Sequence, residues 1–443
     1  MPTVLVLGSG MVVKPLVDYL IDTCCYRTVL TDITTEGAAR LLHGRELGMP
    51  VAWTAGDPRL LHQRVQEADI VVSMLPPGLH LEVAEACLAH CRHLVTTSYI
   101  SDGMAGLQEQ AKDRDLVFLN EVGESPGLDH MGALALIAQA RGRGEEILEL
   151  RSYAGGLPAF RSNTNPWGYK FSWSPRGVFK AAQSPAVYLD RGTRMTVKPE
   201  DLFGHCRLVE IDGVGSFETY PNRDATRYLA PYGLRPDVSL YRGILRHRGW
   251  CAILGALRIL GLLDDAVLRK TDGLSYAEFL AGLIGCSAAD LRSEVARVLG
   301  LELSERVIAQ LEWLGLFDMT GLRREEGTAL DVFLDLALSR LAYCPGEQDM
   351  VAVHNELVGR AGERLTRNTA TLMAEGIPDG DSAMARAVGL TAGIATRLVV
   401  EGVVTCRGVI GPWEGGIHAR LLDEMAGHGF RFAFRQSSLL CSS

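Results

Sequence analysis

The chain has no run that approaches the roughly 20 uninterrupted apolar residues a membrane-spanning helix needs. No membrane partner is therefore expected. The first apolar stretch, residues 4–7, is cut by Gly8-Ser9-Gly10 and then by Lys14, so it reads as a strand rather than a secretory leader. A basic excess is also missing: 44 Lys and Arg stand against 53 Asp and Glu, a net charge of -9. Phosphate backbones need a cationic face, so nucleic acid is excluded as a partner. The densest basic run, Arg242, Arg246, His247 and Arg248, suits a few substrate carboxylates instead. The ten cysteines lack a disulfide-framework spacing and sit mostly in apolar patterns, which is the usage of a reducing cytosol. A cytoplasmic location is expected. No internal repeat or low-complexity tract interrupts the 443 residues, a length that suits two or three domains.

What is present first is alternation. Strand-like runs recur at 4–7, 28–31, 51–53, 70–75, 94–96 and 116–119, with helix-like runs at 15–21, 36–47, 80–89 and 104–111 between them. Fully apolar strands separated by amphipathic helices imply a parallel sheet covered on both faces. The fold class is α/β, beginning with a doubly wound Rossmann sheet over 1–124. Further on, 148–153 and 208–211 read as strands, and 155–177 as an ordered loop rich in Gly, Pro and aromatics. The stretch 229–340 reads as helical, with runs at 250–260, 276–284, 288–299 and 305–314. Strand-like segments at 350–354 and 364–373 precede a long helix at 382–402.

Gly8-Ser9-Gly10 follows a buried strand and opens a helix. The first glycine permits a tight turn, and the second lets the backbone of Ser9, Gly10, Met11 and Val12 approach a pyrophosphate at the helix N-terminus. The third glycine of the usual pattern is Val13 here. Asp32 ends the second strand, where a carboxylate accepts hydrogen bonds from ribose hydroxyls and repels a 2′-phosphate. Capping the next helix is its competing role, one that Thr34 could fill. Leu75 and Pro76 lie in the turn expected to cover the cofactor. The expected cofactor is NAD(P)(H), with Asp32 favouring NAD(H).

Several longer strings carry a resemblance. They are Thr97-Ser98-Tyr99-Ile100-Ser101, Asn120-Glu121-Val122-Gly123 through Pro126-Gly127-Leu128-Asp129-His130, Gly155-Gly156-Leu157-Pro158, and Asn165-Pro166 through Trp173-Ser174. Arg176-Gly177, Tyr220-Pro221-Asn222-Arg223-Asp224, Arg242-Gly243 with Leu245-Arg246, and Trp313-Leu314-Gly315-Leu316-Phe317 continue the series in order. In these strings the chain resembles the saccharopine dehydrogenase family, in its glutamate-forming branch. The resemblance implies an oxidoreductase that couples an aldehyde to an amino acid's amine through an imine; in the type reaction aminoadipate semialdehyde and glutamate give saccharopine. It also implies a layout of a Rossmann domain, an α/β substrate domain and an inserted all-helical domain. On this sequence those are 1–124 (completed by a helix at about 382–403), 125–228 with 341–443, and 229–340, with room for a homodimer through the second. By position, Ser98, Tyr99, Ser125, Trp173, Arg223, Ile244, Leu245 and Arg246 are implied to line the substrate pocket.

The chemistry agrees with that assignment. Imine reduction needs a hydride donor beside the carbon, anchors for carboxylates and little else. Arg223 and Arg246 can grip carboxylates bidentately. Tyr99, after the fifth strand, lies where ligands sit in such sheets and can orient the amine or relay its proton. His130 has the pKa range of an acid-base group, and Lys170 can bind a carboxylate or the nicotinamide ribose, so both join Tyr99 as candidate catalytic residues. The competing readings are a packed histidine and a solvated lysine.

The chain departs from the family pattern in places. The fungal pattern has Asp where Ser125 stands, Cys where Ala154 stands, Pro-Glu where Phe160-Arg161 stand, and Arg where Asp32 stands. The loss at 125 removes a partner for a substrate ammonium. Cys87, His90, Cys91 and His93 suggest zinc, but the first three share one helix, so no metal is expected. Two alternatives remain: a relative acting on another aldehyde and amine, such as the carboxynorspermidine type, and a non-catalytic NAD-binding sensor.

Overall fold

The computed structural model describes residues 1–302 and 304–439. Six strands in chain order, β1 (Thr3–Leu7), β2 (Arg27–Asp32), β3 (Gly48–Ala52), β4 (Ile70–Ser73), β5 (His93–Thr96) and β6 (Val117–Leu119), form a parallel sheet in the order β6-β5-β4-β1-β2-β3. Alternate residues feed opposite faces. Val4 and Val6 enter one apolar core and Leu5 and Leu7 another, which is why these strands read as unbroken apolar runs. A seventh parallel strand, Gly408–Ile410, pairs with β6. The C-terminal stretch, expected to give the Rossmann domain only a helix, thus also gives it a strand.

That helix, Ala383–Val400, has a mean hydropathy of 1.4 and is long and apolar enough to cross a membrane, but 78% of it is buried inside the protein. It crosses the first helix, Lys14–Asp18, so closely that a Cβ at Gly389 would lie 2.8 Å from the Leu16 amide nitrogen. The first helix continues as a π-helical turn, Tyr19–Thr23, instead of the regular helix expected over 15–21. The helix expected over 36–47 spans Thr35–Leu42, because His43 (φ 50°) and Gly44 (φ 69°) turn left-handed.

The second sheet is centred on β7 (Glu146–Pro158). It adds β8 (Ala186–Asp190), β9 (Thr193–Val197), β10 (Arg207–Ile211), β11 (Gly215–Pro221), β12 (Ser239–Arg246), the hairpin Asp349–Ala361 and Arg364–Glu375, and the exposed edge strand Ala433–Leu439. β7 runs parallel to β12 and antiparallel to Asp349–Ala361. Two expectations are corrected here. Residues 155–158 belong to β7 rather than to a loop, and the helical region cannot begin at 229 because β12 is a strand of this sheet. The helices proper are Trp250–Ile259, Tyr276–Ile284, Leu291–Leu299, Arg306–Leu314 and Ala329–Arg340. The two sheets are tied together by Asp349, whose carboxylate accepts from the Ala383 and Met384 amides at 2.6 and 2.9 Å.

Candidate active site

The dinucleotide end lies at the carboxyl edge of β1. Gly8 has φ +98°, and a Cβ there would sit 3.2 Å from the Met74 carbonyl oxygen, so the turn and the segment after β4 touch only because this residue is glycine. The Gly8 amide donates to Thr31 Oγ1 (3.2 Å), and the Gly10 carbonyl accepts from the Val13 amide (3.1 Å), closing the turn. Around Gly10 a Cβ would meet nothing within 4 Å, so the outer side of the turn is open. Ser9 is partly buried, Met11 is exposed, Val12 packs on the core, Leu75 reaches Gly8 and Pro76 is exposed. Thr34 caps the second helix by accepting from the Gly37 amide at 3.1 Å. Asp32 therefore has no capping duty. Its carboxylate accepts from the Ile33 amide at 2.6 Å and lies against Gly37, where a Cβ would clash at 1.9 Å. A glycine turn open to a ligand and a carboxylate at the end of β2 fit a dinucleotide.

The carboxyl ends of β4 and β5 are joined by a buried histidine that the sequence did not single out. His80 bridges Ser73 Oγ (2.8 Å, at Nδ1) and Ser98 Oγ (2.7 Å, at Nε2). Burial pulls its pKa down to about 4, so it is neutral and serves to hold Ser98. Next to Ser98, the Tyr99 hydroxyl accepts from Asn222 Nδ2 (3.2 Å) and Arg242 (3.4 Å). With both donors aimed at its oxygen, the Tyr99 proton is free to point elsewhere.

Arg242 is buried between the rings of Tyr99 and Tyr228, with its guanidinium carbon 5.4 and 4.8 Å from their centroids. It forms an ion pair with Asp129. Asp129 also accepts from Ser125 Oγ (2.9 Å) and from the Gly127 and His130 amides (2.8 Å each). Burial opposes the Asp129 charge, but the fields of His130 and Arg242 and these donors bring its pKa down to about 2. Arg242 thus braces Tyr99 and Ser125 through the one guanidinium nitrogen that also pairs with Asp129, while its Nε and the other terminal nitrogen have no partner.

Arg246 is different. It is 3% exposed and stacks over Tyr169 and Trp250, 5.1 and 5.5 Å from their centroids. One guanidinium nitrogen donates to the Leu245 carbonyl (2.8 Å), Nε has no partner, and no carboxylate of the described residues pairs with it. Gly155 on the neighbouring β7 makes room, since a Cβ there would lie 3.2 Å from this guanidinium. Ile244 is half-buried beside Ala154 on β7; the Leu245 side chain is fully buried, so only its backbone can serve the pocket. Trp173 is half-buried over Gly177. Arg223 is exposed, holds φ +56° and lies 5.8 Å over the Tyr99 ring, also without an ion pair among the described residues.

Two expected catalytic residues are corrected. His130 is fully buried, with Nδ1 on the Tyr232 hydroxyl and Nε2 2.9 Å from Glu121, and aromatic rings enclose it. Nδ1 is engaged, Nε2 faces Glu121 without a hydrogen bond, and the ring is enclosed inside the protein away from any substrate. Lys170 is 3% exposed; its ammonium pairs with Glu347 and donates to Thr164 Oγ1 at 2.9 Å. Glu347 in turn borders a cavity of about 380 Å³ that it shares with Met11, Phe171, Tyr343 and Ser382, and neither Tyr99 nor Arg246 lines it.

Sequence reasoning also missed Glu124. Its side chain is 7% exposed, and its Oε1 is the one carboxyl oxygen among the buried, partnerless polar atoms of the described residues. Burial and the nearby Asp129 push its pKa up to about 8 against the opposing fields of Arg246 and Arg242. Elsewhere, Cys206, Glu218 and Cys251 converge within 4.8 Å. The Glu218 oxygens accept from the Gly249 and Cys251 amides at 2.7 and 3.0 Å, so this group caps the helix Trp250–Ile259.

Comparison with known proteins follows the same division of the chain. Residues 4–119 match the saccharopine dehydrogenase NADP binding domain, and 123–430 match the saccharopine dehydrogenase C-terminal domain. The chain is similar to saccharopine dehydrogenase [NADP(+), L-glutamate-forming] of Schizosaccharomyces pombe, 32% identical over 97% of this chain and 98% of that one. It is 33% identical to the mitochondrial alpha-aminoadipic semialdehyde synthase of Bos taurus, over 97% of this chain and 47% of that protein. Among solved structures, the apo saccharopine dehydrogenase (L-Glu forming) of Saccharomyces cerevisiae superposes with a TM-score of 0.87 at 28% identity, covering 99% of this chain and all of that one.

Proposed function

Because the chain belongs to the saccharopine dehydrogenase family, we propose that this NAD(P)-dependent oxidoreductase acts on the CH–NH group of a saccharopine-like secondary amine. In one direction it reduces the imine formed between an aminoadipate-semialdehyde-like aldehyde and a glutamate-like amino acid; in the other it oxidises the product back. The observation that carries the amino-acid assignment is Arg246, a buried guanidinium on aromatic rings with no carboxylate partner among the described residues. Leaving such a charge buried is costly unless a ligand supplies the counter-charge.

The Gly8–Val12 turn, Asp32, Leu75 and Pro76 would hold the dinucleotide, which supplies or accepts the hydride. Arg246 binds one substrate carboxylate, and the more exposed Arg223 a second. Tyr99, braced by Asn222 and Arg242, helps to orient the reacting nitrogen. Ser98 and Ser125 are held by His80 and Asp129 and add neutral hydrogen bonds. Trp173 and Ile244 exclude water from the carbon that changes oxidation state.

Asp32 refines the cofactor. The segment from Asp32 to Glu36 carries two carboxylates and no Lys or Arg, so NADH is expected to bind better than NADPH. The choice of amine is tested by following loss of reduced-nicotinamide absorbance with aminoadipate semialdehyde and a series of amines. Glutamate should support turnover and putrescine or diaminopropane should not. Turnover with the diamines alone would move the protein to the carboxynorspermidine type.

A further inference from the structure

Fixed cations surround the pocket, yet among the described residues the Glu124 carboxyl beside it has no hydrogen-bond or ion-pair partner. Glu121 is occupied by His130, Tyr228 and the Ile100 amide. Asp129 is held by Arg242, Ser125 and two amides. Position 125 itself is a serine and carries no charge. Glu124, one residue earlier in the same turn, is buried with Oε1 unpartnered, and it lies in the combined field of Arg242 and Arg246 without pairing with either.

We propose that Glu124 is the catalytic proton carrier of this pocket, exchanging a proton with the substrate's secondary nitrogen; this rests on the saccharopine-type reading above. In the oxidative direction the Glu124 carboxylate takes one proton from the substrate ammonium and becomes a carboxylic acid. The freed nitrogen lone pair then forms the C=N bond as hydride leaves the adjoining carbon, with its electron pair, for the oxidised nicotinamide. Water adds to the resulting iminium and releases the aldehyde and the amino acid. In the reductive direction hydride reaches the iminium carbon, and Glu124 returns its proton to the amine.

The surroundings suit this task. Asp129 and burial favour the protonated carboxyl, Arg242 and Arg246 favour the carboxylate, and Tyr169 is the further titratable group that senses it. The balance places the exchange near pH 8, where a carrier can work in both directions. A carboxyl left solvated at its ordinary pKa would hold almost no proton to return to the amine at neutral pH.

The test compares wild type, Glu124→Gln and Glu124→Asp in saccharopine oxidation across pH 6 to 10, with reduced-cofactor binding followed by fluorescence. Wild-type kcat should rise with pH to a plateau above about 8. Glu124→Gln should lose about 10²- to 10³-fold in kcat and also lose that limb, with KM and cofactor binding little changed. Glu124→Asp should restore part of the rate and a pH-dependent limb. A second readout needs no turnover. The folded protein retains a proton that the unfolded chain releases, so wild-type melting temperature should fall between about pH 5 and 8, and Glu124→Gln should flatten that fall. A Glu124→Gln enzyme with wild-type rate and pH profile overturns this inference alone. A wild-type enzyme that fails to oxidise saccharopine overturns the functional reading itself, and this inference with it.

Discussion

Arg246→Leu should lower kcat/KM for the amino-acid substrate by about 10²- to 10³-fold while leaving the melting temperature unchanged or slightly higher. The guanidinium has no carboxylate partner among the described residues, so its removal orphans no buried acid in the free protein. Leucine fits the apolar side of the site offered by Tyr169 and Trp250. What is lost appears only when substrate binds, as a desolvated carboxylate without its counter-charge, worth roughly 2–5 kcal/mol. Two comparisons separate this from general damage. Arg242→Leu strands the buried Asp129 and should destabilise the fold by about 3–5 kcal/mol. Arg223→Ala, at an exposed position, should raise KM with the fold intact and by less than Arg246→Leu. Steady-state kinetics with thermal melts of the three variants check the order. Unchanged KM and kcat in Arg246→Leu would remove the anchor from the account.

Asp32→Arg should reverse the cofactor preference. In the wild type, a carboxylate near a 2′-phosphate is repelled by up to about 4 kcal/mol at 4 Å in a surface-like medium, and screening reduces this. A preference for NADH of about 10- to 100-fold is expected. Arginine substitutes attraction for repulsion, so the ratio of kcat/KM values should swing by about 10³-fold towards NADPH. Thr34 caps the second helix and Asp32 does not, so the variant should stay folded. Binding of both reduced cofactors, measured by fluorescence, checks this without any substrate. An Asp32→Arg protein that still prefers NADH would show that discrimination lies elsewhere.

The Rossmann sheet was legible because both faces of its strands are buried and its glycine turn has a fixed place. Gly408–Ile410 was not legible. Three residues carry too little pattern, and their role depends on the free edge of β6. β12 was read as part of a helical region because its buried positions include Arg242 and Arg246, which no periodicity marks as inward. The arginines proposed as substrate anchors stood out through their motif strings, although the sequence could not tell which are already paired. His130 and Lys170 were misread for a related reason. Their partners Tyr232 and Glu347 lie 102 and 177 residues away, so only the fold shows that both side chains are occupied. Glu124 is the opposite case. A glutamate in a turn between Gly123 and Pro126 reads as solvated, and only the packing of that turn buries it.

The central claim is the reaction, and saccharopine itself tests it most directly. Purified protein should be incubated with saccharopine and NAD⁺ or NADP⁺, with the absorbance of reduced nicotinamide followed and the products identified by mass. The account predicts reduced nicotinamide formed in step with glutamate and aminoadipate semialdehyde. Bound cofactor with no reduction, or reduction that releases lysine in place of glutamate, would contradict it.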